Sequence, residues 1–564
     1  MTNLAKAQEL FFAALDAQNR NDLEGAEQLY KEALVQAPDR PSILNNLAVV
    51  LQLQGKYPES RQCCEHLLEL NPADATAWMN LGNVQAGLQQ VPEALASYAK
   101  SLAIDPGYVE ALVNRAGALA MAGRHAEALA DLDHALQIAP DHPEARLNRG
   151  NALVDLHRPE EALEDYRRCL EQDPGNAKTL SSLGNALLEA GNPQESLAVC
   201  EQALALDPAY AEGYQNRGNA LRDLKRYDEA LQDYARAQSL APSQPGAYWN
   251  ESLCRLLLED FEQGWQHYPQ GWAAGQRGRQ KPFFVQPEWN GTHVDGTLLA
   301  WGEQGIGDQV LHASMLEQLQ ACARRLLVGV DPRLIPLFRR SFPGIGFVSL
   351  GELPGIDGFD VQVALGDIGA HLRKTRDSFP QGRGAFLSAD RARAQTLGRR
   401  LHADGKFVCG ISWRSANPRL GRFKSLALQE LAAMISIPGV LCVDLQYGDT
   451  REERLTLQKD FGLDLVRVEE IDNFRDIDGL AALIAACDMV VSVSNTTVHL
   501  AGALGKPTAI LLPYAQGSLW YWHENRDTSL WYPSCRLLRQ KSMGDWSNVI
   551  ADAAGMIRSA AGKR

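Results

Sequence analysis

The chain has 564 residues, 45% hydrophobic and 22% charged, with a formal net charge of −14 and an isoelectric point near 5.4. Such a length implies several domains, and the acidic balance argues against a nucleic-acid-binding surface. No run of about 20 uninterrupted apolar residues occurs, and Met1 to Arg20 contain no lysine-led apolar stretch or cleavage signal, so neither a membrane span nor an export signal is expected.

The first half is periodic. Pro38, Pro72, Pro106, Pro140, Pro174, Pro208 and Pro242 follow one another at intervals of 34 residues. That period marks a helix-turn-helix array, the tetratricopeptide (TPR) solenoid. With each proline as position 32, Gly82 and Gly218 fall at position 8, Ala94 and Ala230 at 20, and Tyr98 and Tyr234 at 24. Small residues at 8 and 20 let two helices approach, and the proline stops the second one. The reading is seven repeats over residues 1–246, then an eighth first helix at Tyr248-Trp249-Asn250 and a connector over 247–295. Asparagines recur at position 6: Asn46, Asn80, Asn114, Asn148, Asn216 and Asn250. A second set, Asn83, Asn151, Asn185 and Asn219, falls at position 9. Side-chain amides on the concave side can hold an extended peptide backbone. Asparagine at these positions is equally a common feature of TPR consensus sequences.

The connector from Phe261 to Asn290 is rich in Gln, Gly, Trp and Pro and is expected to pack on both halves. From Gly296 short apolar strands alternate with helices, the pattern of parallel sheets. Strands are expected at Leu298–Trp301, Leu326–Val330, Phe347–Leu350 and Val361–Ala364. A second series comprises Phe407–Trp413, Val440–Leu445, Leu465–Arg467, Met489–Val493 and Thr508–Leu512, with a helix over Ala389 to Ala403 between the two series. The fold class is therefore an all-α array followed by two doubly wound, Rossmann-like α/β units, residues 296–400 and 401–564, with ligand at the strand C-termini. The ten cysteines are scattered, Cys63 and Cys64 adjacent, with no zinc-finger pairing of CxxC motifs. Reduced thiols in a cytoplasmic protein is the simple reading.

Four motifs lie at strand ends. Trp301–His312 opens a helix through a glycine loop that gives backbone N–H groups access to an anion, without Walker or GxGxxG spacing. Gly410–Pro418 with Lys424-Ser425 offers Ser412, Arg414 and Lys424 to a phosphate ester, or forms a solvated basic loop. Leu445-Gln446-Tyr447-Gly448 places Gln446 beside a nucleobase or makes a plain strand-to-turn transition. Val490–Pro507 runs from a buried strand through Ser494, Asn495, Thr496 and Thr497 into a small-residue helix bearing His499. N–H groups, hydroxyls and the positive end of the helix dipole converge there. Asp472, Asp476 and Asp478 read as an acidic helix start or as ribose contacts.

With these motifs in order, the second half resembles glycosyltransferases of the GT-B fold, most closely the heptosyltransferase-like branch often fused to TPR arrays. The resemblance spans about Leu298 to Gln540, including Trp520-Tyr521-Trp522 and Ser529–Pro533. It is most specific in the Trp301–Asp308 loop and the His499–Pro507 helix. The asparagine rows resemble the ladder of nucleocytoplasmic O-GlcNAc transferases. The domain order is similar to TPR-armed bacterial flagellin glycosyltransferases, which attach nonulosonic acids to Ser or Thr before export.

This resemblance implies an acceptor-side domain at 296–400 and a nucleotide-sugar-binding domain at 401–564. It also implies a metal-independent reaction with no resident cofactor. Asp308 would be the base, with Glu303 and His312 as fallbacks, although Asp308 also suits a helix cap. Ser412, Arg414, Lys424, Gln446, Asn495, Thr496, Thr497 and His499 would bind the donor. The client, flagellin by resemblance, would lie on Asn46, Asn80, Asn114, Asn148, Asn216 and Asn250. Ser494-Asn495 stands where that branch usually has Asp-Thr. A missing acid suits a donor with its own carboxylate, which favours a CMP-linked, pseudaminic-acid-like sugar and leaves UDP-, GDP- and ADP-sugars open. Two alternatives stay open: a TPR scaffold with an inactive nucleotide-binding domain, and a transferase acting on lipid or polysaccharide.

Overall fold

The computed structural model describes residues 3–278, 281–379 and 384–563. The chain divides into two compact units, Met1–Pro208 and Ala209–Arg564. Among the described residues, sixteen helices, from Asn3–Asn19 to Phe261–His267, form the array, and no helix is long and apolar enough to cross a membrane.

The 34-residue period is a packing rule. At position 24, Tyr30, Tyr98, Tyr166 and Tyr234 are at most 2% exposed. They fit because position 8 is small: a Cβ added to Gly82 would lie 2.6 Å from the Tyr98 ring. Where serine replaces alanine at position 20, its hydroxyl donates to the carbonyl at position 8, Ser60 to Ala48 and Ser196 to Gly184. Asp74 and Asn176 cap their helices by accepting the N–H three residues on.

The second unit starts with the seventh helix pair, Ala211–Asp223 and Tyr227–Leu240. An eighth pair follows, Pro245–Leu257 and the short Phe261–His267. The sequence suggested only its first helix. The second is disguised because the small residues have exchanged places: Ser252 stands at position 8 and Gly264 at 20, joined by a 2.7 Å hydrogen bond. Tyr268 occupies position 24 and is 1% exposed. The connector was expected to pack on both halves, and its tryptophans make contacts with the α/β part. Trp265 donates to the Arg373 carbonyl, Trp272 meets Trp301, and the Trp289 N–H bonds Gln362. Connector positions 279 and 280 lie outside the described residues.

Two parallel sheets complete this unit. The first contains β1 (Val294–Trp301), β2 (Ala323–Val330), β3 (Gly346–Ser349) and β4 (Val361–Ala364), in the order β3-β2-β1-β4. The second contains β5 (Phe407–Ser412), β6 (Val440–Asp444), β7 (Met489–Val493), β8 (Thr508–Leu512) and β9 (Cys535–Arg539), in the order β6-β5-β7-β8-β9. Every residue of β5, β7 and β8 is buried, as parallel strands covered on both faces require. The helix between the series spans Arg391–Leu401. One expected strand fails and one strand was not foreseen. Leu465–Arg467 makes a single bridge, Val443 to Val466, because the chain turns away at once. Cys535–Arg539 is an edge strand that its arginines concealed.

Candidate functional site

Strand order decides where a site can form. In the first sheet β1 lies between β2 and β4, and in the second β5 lies between β6 and β7. Such reversals of winding leave a crevice at the strand C-termini. The Gly302–Gly305 loop leaves β1 at one reversal, and the segments after β5 and β7 leave at the other.

The second crevice is braced internally. Asn495 caps the helix Thr496–Ala503 by accepting the Thr497 N–H at 3.0 Å. Its amide donates to Ser412 Oγ at 2.8 Å and to the Arg414 carbonyl at 3.1 Å. The Gln446 side-chain oxygen accepts from Ser412 Oγ and from the N–H groups of Trp413 and Arg414, each at 2.9 Å. Ser412 and Gln446 are wholly buried. They therefore lock the ends of β5, β6 and β7 together, and Gln446 is spent on this bracing rather than presented to a base. Arg414 pairs with Glu453 at 3.2 Å and donates to the Asp449 carbonyl. Asp476 caps the helix Ile477–Ala486 and Asp472 receives two backbone N–H groups, as a helix start would. Asp476 and Asp478 also pair with Arg393 and Arg340.

Other groups converge unbraced. The helix Ile306–Ala313 packs on Thr496–Ala503, and Gly307 makes this possible: an added Cβ would lie 2.9 Å from the His499 ring. Asp308 stands in the first turn of its helix, whose N-cap Gly305 supplies no side-chain cap. Its carboxylate feels the Lys424 ammonium. Burial lifts Asp308 to about 6, against the pull of Lys424. Burial lowers Lys424, 5% exposed, to about 8, against the pull of Asp308. Two oppositely charged groups thus titrate on either side of neutrality, an arrangement expected where protons are moved. Burial, then Lys424 and His312, brings His499 down to about 3, so its ring is neutral at pH 7. Its Nδ1 lies 3.0 Å from the Tyr532 hydroxyl and its ring stacks on Trp522. Trp522 donates to Ser494 Oγ at 2.8 Å, and the Tyr521 ring meets the His499 ring edge-on at 5.3 Å. The Thr497 hydroxyl is fully buried without a hydrogen-bond partner.

The fallback residues are placed differently. Glu303 is 1% exposed, pairs with Arg277 at 2.7 Å and accepts the Gly366 N–H at 3.0 Å. Its carboxylate is raised by burial. His312 is buried and lowered to about 3, first by burial and then by Arg277. Tyr521, Trp522 and Tyr532 enclose His499 from about 25 residues away, which sequence spacing alone does not reveal; the Trp-Tyr-Trp run was the available signal.

In the array the two asparagine rows separate. Asn83, Asn151 and Asn219 accept the hydroxyls of Tyr98, Tyr166 and Tyr234 at 2.7–2.9 Å, inside their own repeats. Of the other row, Asn80 is buried and donates to Asn45, and Asn46 bonds its own helix at Ser42. Asn114 donates to Met79 Sδ at 3.4 Å. Asn114, Asn148, Asn216 and Asn250 remain partly exposed.

These features define a TPR-armed protein whose second unit is an α/β body built on parallel sheets. Tetratricopeptide-repeat family models match residues 39–106 and 108–175, and again 147–211 and 181–245. The chain is 31% identical over 317 residues to Protein FlbA of Caulobacter vibrioides, which covers 52% of each protein. It thus spans about half the length of the curated relative it matches. Among solved structures, a tetratricopeptide repeat protein from Parabacteroides merdae is 20% identical, covering 44% of this chain and 99% of that one, at a TM-score of 0.37. Pseudomonas aeruginosa pilF is 18% identical, covering 38% and 96%, at a TM-score of 0.34.

Proposed function

We propose that the chain is a protein O-glycosyltransferase of the GT-B fold that moves a sugar from a nucleotide to Ser or Thr of a polypeptide held by its TPR arm. The observation that carries this reading is the packing of Ile306–Ala313 on Thr496–Ala503, which brings the turn bearing Asp308 to neutral His499 and the unpartnered Thr497 hydroxyl, with the Lys424 ammonium acting on both Asp308 and His499. Asp308 takes the proton of the acceptor hydroxyl as its oxygen attacks the anomeric carbon. The bond from that carbon to the phosphate oxygen breaks, and its electron pair leaves with the nucleotide. Lys424, the Thr497 hydroxyl and the N–H groups that open the helix Thr496–Ala503 stabilise the departing charge.

The donor we favour is CMP-linked and acidic. Ser494 and Asn495 are neutral where the resembling enzymes carry an acid, and both side chains are committed to bracing. The resemblance supplies flagellin as client and the cytoplasm as location. A donor screen tests the reading. Turnover of a CMP-linked acidic sugar, with UDP-, GDP- and ADP-sugars inert, supports it; turnover of a neutral donor alone overturns the donor assignment. Nucleotide binding without turnover of any donor favours the scaffold reading.

A further inference from the structure

The eighth repeat ends differently from the others. In repeats three, five and seven the position-24 tyrosine gives its hydroxyl to an asparagine of the same repeat. In the eighth, Leu253 stands where that asparagine would be, and Tyr268 turns to the β1 loop, its hydroxyl 3.5 Å from the Gln304 amide. Tyr268 still packs on Trp249 of its own repeat, with ring centroids 5.1 Å apart. Against its other side lies Arg277, a connector residue 1% exposed whose guanidinium sits 4.7 Å from the Tyr268 ring and 4.4 Å from the Trp272 ring. Arg277 reaches both strand ends of the first crevice, pairing with Glu303 after β1 and Asp367 after β4. Gly366 leaves the room: a Cβ there would lie 2.3 Å from Glu303 Oε1 and 2.7 Å from Arg277 Nη2.

We infer that Arg277 is a positioning residue, through which the last repeat and the connector hold the Gly302–Gly305 loop and so aim Asp308 at Lys424. A buried guanidinium clasped by two aromatic faces and two carboxylates is a costly and rigid arrangement. Here it is spent on a loop of two glycines and two polar residues between Trp301 and Ile306, which has no apolar side chain of its own. The inference rests on the proposed transferase reading for its catalytic meaning, but not for its structural content.

The test uses the full chain with Arg277→Lys, Arg277→Met and the double substitution Arg277→Met with Glu303→Met. The double variant removes both buried charges, so its melting temperature should lie near wild type even where the single variant's falls. Amide hydrogen exchange across residues 302–308 should nevertheless quicken at least about tenfold in the double variant, with β1 and β5 unchanged. Donor turnover should fall by about 100-fold with the donor KM within threefold, because misaiming rather than donor binding is affected. Wild-type exchange in that loop would overturn the inference, and so would turnover that recovers together with stability. If the wild-type chain turns over no donor, the transferase reading fails by itself and the exchange result still decides the role of Arg277.

Discussion

The helical array and the α/β body use polar side chains in opposite ways. In the array polar residues meet partners at repeat-related spacings, inside one repeat or, as Asn80 does with Asn45 over 35 residues, in the neighbouring one. Tyr166 reaches Asn151 over 15 residues, and Arg115 and Arg217 reach Asp131 and Asp233 over 16. In the α/β body Asn495 reaches Ser412 over 83 residues, and Gln446 reaches Trp413 over 33. A period therefore reveals the first kind of contact and hides the second. It also says little about function, since Asn83, Asn151 and Asn219 of the position-9 row are held by tyrosines, whereas the groups that meet in the α/β body follow no period.

The sharpest way to break this contrast is Asp308→Asn. It keeps the size of the side chain and removes the base, so turnover should fall about 10²–10⁴-fold while thermal melting stays close to wild type. Full activity would remove Asp308 from the mechanism. The pH profile comes next. Activity requires ionised Asp308, so it should rise as pH climbs through about 6. It also requires protonated Lys424, so it should fall as pH passes about 8. The two limbs belong to the interacting pair, and Lys424→Arg should move the upper limb to higher pH in a rate-against-pH series. A flat profile between 5 and 9 would contradict the pairing.

Truncation tests the boundary between the two regions. Removing residues 1–208 should leave the second unit folded, because the seventh helix pair belongs to it. Removing residues 1–242 instead deletes Lys225, paired with Glu524, and Tyr227, packed on the core of the α/β body. That shorter chain should melt several degrees lower by calorimetry; equal melting would show that the seventh pair is dispensable. The smallest effect is expected at Tyr166→Phe, which loses one hydrogen bond to Asn151 and should cost about 0.5–1.5 kcal/mol in denaturant unfolding.

Much of the fold is legible in the sequence for a physical reason. Repeats recur because each buries the same face, and short runs such as Val490–Val493, valine but for Ser492, suit strands covered on both faces. Asp308, Lys424 and His499 were legible as residue types at strand ends. Their meeting was not, since it depends on Gly307 admitting the His499 ring and on a tail about 25 residues further on. The bracing roles of Gln446, Ser412 and Glu303 were equally hidden, because a buried amide or carboxylate looks the same in sequence as one offered to a ligand. The second helix of the eighth repeat escaped notice through one exchange of serine and glycine.

The central claim is that the Asp308–Lys424 centre transfers a sugar to a client held by the arm. Intact-mass analysis of flagellin incubated with the full chain and a CMP-linked acidic sugar tests it most directly. The account predicts a gain of whole sugar masses with the wild-type chain and none with folded Asp308→Asn. An equal gain with Asp308→Asn, or an unchanged mass with CMP-, UDP-, GDP- and ADP-linked donors alike, would contradict it.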